Sequence, residues 1–266
     1  EETYGWTVEQ AVSKIRGPKG TQVTLSILHE KSTKPEDIII TRDDIVIPSV
    51  VSWIKQPPEI EEISALETKI PKNTSIGYLQ LSRFGDRTED EWNKAVTDIA
   101  AAYKNGQIRG LIFDLRNNPG GYLELAVSLA SEFLKKGVVV SQVNSDGSKE
   151  PFPVRSGGRL TDIPLVVLIN KGSASAAEIA AGAIKDNKRG KLVGETSFGK
   201  GSVQTPEELP GGASVHITTG KWMTPNGDWI HKIGIKPDIE VVMDVDTEAS
   251  KDAQLVKAIE VLMEAK

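Results

Sequence analysis

The sequence of 266 residues contains no cysteine, which excludes a disulfide framework, a thiolate zinc site and a cysteine nucleophile. Histidine is nearly as scarce: His29, His216 and His231 are the only three, and no His-x-x-x-His pair occurs, a thin supply for a metal site. Basic residues do not prevail, with 32 Lys and Arg against 37 Asp and Glu, a formal charge of −5 and a pI near 5.4. A nucleic acid partner would demand a basic face, so none is expected. Long apolar runs are missing too. The longest span only five residues, as in Leu165 to Ile169, where a membrane helix needs roughly 18 or more. Glu1 to Trp6 show neither an initiator Met nor a signal-peptide profile, so the chain is expected to start inside a longer protein, and a removed export signal stays open.

What is present suffices for a core. A chain of this length buries roughly 70–75% of its unfolded surface and needs no staple. Val8, Ala11, Val12 and Ile15 follow helical spacing up to the breakers Gly17-Pro18, and alternation over Thr21 to Leu28 and then Ile38 to Thr41 predicts a hairpin. Pro48 to Pro71, acidic and carrying Pro57-Pro58, reads as a surface strap or linker. Beyond it strands and helices alternate: strands at Ile76–Leu81, Leu111–Leu115, Val138–Val143, Leu165–Asn170 and Leu192–Glu195, and helices at Glu89–Tyr103, Tyr122–Lys136 and Ser175–Asp186. That order predicts an α/β domain with a largely parallel sheet.

Three Gly-rich turns follow strands, at 116–121, 171–175 and 196–201, and the carboxyl ends of parallel strands are where such sheets bind ligands. A right-handed crossover through helix 175–186 brings the second and third turns together, making Ser175 and Lys200 spatial neighbours. A serine beside a neutral lysine is a working nucleophile and base. Each residue also has an ordinary explanation. Ser175-Ala176-Ala177-Glu178 has capping-box spacing, and an isolated lysine in a loop is usually a solvated cation. Gly194 to Gly201 nearly matches a phosphate loop, but Gly201 stands where a hydroxyl must bind magnesium and Pro206 opposes the required helix. Ser52-Trp53-Ile54-Lys55 matches a Ser-x-x-Lys signature that needs a helix, which Pro57-Pro58 prevents. The three histidines avoid the Gly-rich turns and read as structural or surface residues, and Asp114 with Arg116 reads as a structural pair.

Taken together, the stretches Asp114–Gly121, Lys171–Ile179, Gly194–Gln204 and Thr224–Asp238 resemble the carboxyl-terminal processing, or tail-specific, serine proteases, over about Ile76 to the end. The resemblance implies a core like that of the ClpP/crotonase fold and a Ser/Lys dyad, with Ser175 as nucleophile, Lys200 as base and Gln204 orienting the lysine. It places the oxyanion hole at the N–H groups of Ala176 and of Gly121 or Gly120. A helix start and a glycine turn both suit that role, since the one offers unpaired donors and the other a close approach. Ala177 departs from the many members with a third serine there, and Glu178 is explained by the cap.

Residues Thr7 to about Thr41 resemble the latter half of a PDZ domain, so that Val8, Ala11, Val12 and Ile15 would either wall a peptide groove or pack against the hairpin. The expected organisation is a partial PDZ-like unit at 1–43, a strap at 44–71 and a protease core at 72–266. The expected activity is endoproteolysis near the carboxyl termini of polypeptides, without metal or cofactor, in an exported bacterial enzyme or, less readily, a thylakoid-lumen one. The alternative is a catalytically silent peptide-binding scaffold. The sequence leaves the oligomeric state open, a homo-oligomer included.

Overall fold

Thr7 opens the first helix, α1 (Val8–Ile15), with a reciprocal cap: its hydroxyl accepts the Gln10 N–H (3.3 Å) while the Gln10 side chain accepts the Thr7 N–H (2.9 Å). At the other end Arg42 takes the orphan carbonyl of Ile15 (2.7 Å) and also reaches Gln22 O (2.9 Å). That guanidinium ties α1 to the antiparallel hairpin of β1 (Gln22–Ile27) and β2 (Glu36–Thr41). The computed structural model describes residues 3–30, 32–60, 74–243 and 252–264, and the chain divides into two compact units, Glu1–Ile47 and Pro48–Lys266.

The second unit is built on a six-stranded sheet whose strands, from one edge to the other, are residues 239–240, 191–194, 165–169, 111–114, 76–81 and 50–55. Along the chain come β3 (Val50–Lys55), β4 (Ile76–Leu81), α2 (Thr88–Lys104), β5 (Leu111–Asp114) and α3 (Leu123–Ser131). They are followed by β6 (Val138–Asn144), β7 (Lys149–Pro153), β8 (Leu165–Ile169), α4 (Ala176–Asp186) and β9 (Lys191–Gly194). Then come β10 (Ser202–Glu208), β11 (Ser214–Met223), β12 (Ile239–Glu240) and α5 (Ala253–Glu264). Within this sheet only β3 runs antiparallel to its neighbour.

Both faces of the sheet are covered, which is why β8 is an unbroken apolar run and β5 is apolar up to Asp114. Alternate residues serve two cores: Phe113 and Val167 face Trp92, Val127 and Ile179 of α2, α3 and α4, while Ile112 and Val166 face Leu255 and Ile259 of α5.

Three expectations change. The stretch read as a strap carries β3, an edge strand in register with β4, and Glu91 of α2 fixes its start by accepting the N–H groups of Ser49 (2.6 Å) and Val50 (3.0 Å). Residues 61–71 of that stretch lie outside the described residues. Val138–Val143, expected in the parallel sheet, instead joins a separate antiparallel sheet of order β10-β11-β6-β7. The helix expected to run to Lys136 ends at Ser131, because the Glu132 carbonyl turns to the Leu160 N–H (3.0 Å).

Asp114, fully buried, accepts Arg116 (2.6 Å) and the Tyr78 hydroxyl (2.7 Å), and Arg116 also pairs with Asp252 (2.8 Å) at the start of α5. Burial, reinforced by the Asp114 charge, lifts the Tyr78 phenol far above its ordinary range. Burial opposes the Arg116 charge, but Asp114 and Asp252 outweigh it and hold the guanidinium more firmly protonated than usual. Arg116→Ala would strand the Asp114 charge in the core, and denaturant unfolding should show a loss of about 3–5 kcal/mol.

Candidate active site

The loops that follow β5, β8 and β9 leave adjacent parallel strands on the same edge and are stitched together. Ala174 N–H donates to Asn118 O (2.9 Å), the Ser173 hydroxyl to Leu115 O (2.8 Å), and Phe198 N–H to Ser173 O (2.9 Å). Asn118 is wholly buried; its amide donates to Leu81 O (2.7 Å) and its carbonyl accepts the Gly120 N–H (2.8 Å).

Ser175 sits half-buried where the second loop turns into α4, with φ 54° and ψ −117°. A non-glycine residue there is strained, and such strain persists only where the surroundings impose it. Glu178 is the residue that imposes it. Its fully buried carboxylate accepts the Ser175 N–H (2.8 Å) and the Lys200 N–H (2.9 Å) on one oxygen, and the Gly199 N–H (2.6 Å) and Ser197 hydroxyl (2.5 Å) on the other. Four donors fill the acceptor capacity of a carboxylate. The sequence showed Glu178 only as the second half of a capping box, which is present; the crossing of the third loop over it is a tertiary event with no local signal.

Lys200 is half-buried, and its carbonyl accepts the Trp222 indole N–H (2.8 Å). The next carbonyl, of Gly201, accepts the Trp229 indole N–H (2.8 Å), and Lys232 N–H donates to Gly199 O (2.8 Å). A side chain at Gly199, where φ is +87°, would put its Cβ 2.8 Å from Gly234 N, so the lysine loop rests directly on the 229–234 turn. Thus the fourth matching stretch braces the third. Among the described residues no hydrogen bond joins the Ser175 hydroxyl to the Lys200 amine; the two residues are brought together by their backbones on Glu178.

A Cβ on Gly120 would lie 2.8 Å from Ser175 Cβ and 2.9 Å from Ala176 N, so the first loop touches the Ser175 turn. The Gly120 N–H is taken by the Asn118 side chain, whereas the N–H of Gly121, like that of Ala176, meets no acceptor among the described residues. Gly121 also lies opposite Phe84 in a parallel bridge, where any Cβ would fall 1.9 Å from Phe84 O. Gln204 is exposed on β10, four positions beyond Lys200, and makes no hydrogen bond to it.

The remaining candidates lie elsewhere. His29 is exposed near Glu36 (3.9 Å), His216 is exposed on β11, and His231 stacks on Trp229 with centroids 5.3 Å apart. Ser52 and Lys55 lie on β3, where residues three apart face opposite ways. No helix follows Gly201; the chain enters β10. In the first unit Val8 and Ile15 are exposed and Ala11 and Val12 half-buried; of the four, only Ile15 lines a cavity of about 520 Å³, together with Val23, Ile40 and Ile45.

The sequence profile of peptidase family S41 matches residues 75–241. The chain belongs to that family. It is 39% identical over 241 residues to the carboxy-terminal-processing protease of Bartonella bacilliformis, covering 89% of this chain and 51% of the relative. The carboxyl-terminal-processing protease of a Synechocystis strain is also 39% identical, covering 91% of this chain and 52% of that protein. The chain thus spans about half the length of these curated relatives. A solved photosystem II D1 C-terminal processing protease is 31% identical with a TM-score of 0.62, over 89% of this chain and 59% of that one. Mature CPAF bound to lactacystin, 15% identical with a TM-score of 0.60, shares the fold, covering 94% of this chain and 67% of its own.

Glu178→Gln tests the junction. Whichever way the amide turns, its NH₂ meets at least one N–H donor, and the variant should lose about 2–3 kcal/mol of stability in denaturant unfolding, with kcat falling more than KM changes.

Proposed function

We propose that this chain carries a serine endopeptidase site that cuts extended polypeptides near their carboxyl termini. Ser175 attacks the scissile carbonyl while Lys200, as a neutral amine, takes its proton, with the Gln204 amide orienting that amine as substrate binds. The N–H groups of Gly121 and Ala176 receive the oxyanion, the latter backed by the dipole of α4. The lysine then hands its proton to the leaving amine, and water, activated by the same lysine, releases the acyl group. No metal or cofactor has a step. The observation that carries this reading is the shared Glu178 oxygen, which aligns the strained serine turn with the lysine loop. A silent scaffold gives no reason to hold Ser175 in a costly conformation.

The wider reading follows the family: residues 72–266 as a ClpP/crotonase-like core, 1–43 as the latter half of a PDZ domain, 44–71 as the connection, and exported polypeptides as substrates. Among the described residues no helix is long and apolar enough to cross a membrane. The test is mass spectrometry of products from a disordered protein, which reads activity, cut sites and directionality together, with fluorophosphonate labelling of Ser175 as a second readout. Absence of products under all conditions, with Ser175 unlabelled, would favour the scaffold.

A further inference from the structure

Gly199-Lys200-Gly201 is a flexible setting for a lysine, since a glycine on either side leaves the backbone free to rotate. The structure removes that freedom by hydrogen bonds. The N–H groups of Gly199 and Lys200 go to Glu178, Gly199 O accepts the Lys232 N–H (2.8 Å), and Lys200 O accepts the Trp222 indole N–H (2.8 Å). Gly201 O is taken twice, by the Trp222 backbone N–H (3.2 Å) and by the Trp229 indole N–H (2.8 Å). Two of the five tryptophans in the chain thus direct their one polar side-chain atom at consecutive carbonyls of the lysine loop.

The two indoles differ in what burial demands of them. Trp222 is buried in the core, where an indole N–H must find an acceptor whatever the loop does. Trp229 is 44% exposed, so burial of the side chain does not dictate its turning to Gly201 O. Its ring is held in place by neighbours: His231 stacks on it with planes 10° apart, and the Lys221 ammonium lies 4.9 Å from the ring centre. Position 201 is fitted to it as well. A Cβ there would lie 3.0 Å from Trp229 Nε1 and 2.8 Å from His231 N, so glycine is what lets the indole close on the carbonyl.

We infer that Trp229 is a positioning residue for the proposed proteolytic reaction: its indole N–H, through Gly201 O, fixes the backbone that carries the Lys200 amine. A catalytic group must be held within about 0.5 Å of its productive place, and Gly201 is the residue next to the base. The inference rests on the proposed role of Lys200. Trp229 also lines a cavity of about 320 Å³ with Ile233 and Ile235, so contact with a ligand is the competing role.

The experiment uses the full chain with three replacements of Trp229 in turn. Trp229→Phe keeps an aromatic ring and deletes the N–H, 3-benzothienylalanine exchanges only the N–H for sulfur, and 7-azatryptophan retains it. With an internally quenched peptide as substrate, kcat should fall about fivefold to tenfold in the first two, the worth of one lost hydrogen bond, with KM within about twofold of the parent, and 7-azatryptophan should restore the parent values. Hydrogen exchange across residues 199–201 gives a readout independent of turnover, and should quicken in the first two variants and not in the third. A parent-like kcat or unchanged exchange in the benzothienylalanine variant would overturn the inference. A raised KM at parent kcat would assign Trp229 to ligand contact, and a loss confined to Trp229→Phe would assign the effect to the ring. If Trp229→Phe does not fold, the two indole analogues decide. Lys200→Arg is measured beside them: its activity, or a parent that cleaves nothing, would remove the Ser/Lys reading and this inference with it, whereas an inactive Lys200→Arg beside parent-like Trp229 variants rejects only the positioning role.

Discussion

Ser175→Ala is expected to lower kcat/KM for polypeptide cleavage by about 10⁴-fold or more while leaving the fold intact, because it deletes the oxygen proposed to form the acyl intermediate. The backbone of that position gives the experiment a second readout. Alanine at φ 54° bears the same conformational cost as serine, whereas glycine adopts such angles freely. Ser175→Gly should therefore be as inactive as Ser175→Ala yet more stable than it by about 1–2 kcal/mol in thermal or denaturant unfolding. An inactive and stabilised glycine variant would show that the turn is held under strain to present the hydroxyl. Turnover near the parent rate in either variant would remove Ser175 from the mechanism.

Lys200→Arg should abolish activity to a comparable extent, since a guanidinium does not deprotonate in a protein and cannot accept the serine proton. Simultaneous replacement of His29, His216 and His231 should leave activity near the parent level, because among the described residues none of the three hydrogen-bonds to Ser175. The measurement is kcat/KM for parent, Lys200→Arg and the triple variant. A folded but dead triple variant beside an active Lys200→Arg would overturn the Ser/Lys assignment and require a histidine base.

The core sheet and its turns were legible because their signals are local. β4, β5, β8 and β9 are short apolar runs bounded by breakers, and α2 and α4 carry helical spacing, so hydrophobic periodicity alone places the three Gly-rich loops on the edge where they are found. Strand β3 was not legible, because Val50–Lys55 is flanked by prolines and lies at the sheet edge, where a partner on one side suffices and the apolar pattern is weak. The antiparallel sheet was hidden for another reason: β6 has the composition of a core strand, and which sheet it joins depends on β11, whose residues 220–223 lie some eighty positions away.

At the site, local pattern was enough to pick out the residue types and their order: a serine at a helix start, a lysine one crossover later, glycines where backbone must approach. How they are joined depends on contacts between loops far apart in the chain. Gly121 differs from Gly120 in that Asn118 occupies the Gly120 N–H. The change of Glu178 from a helix cap to the junction of two loops comes from the third loop crossing above it, since a buried carboxylate must satisfy four lone pairs and its own turn supplies only part of them.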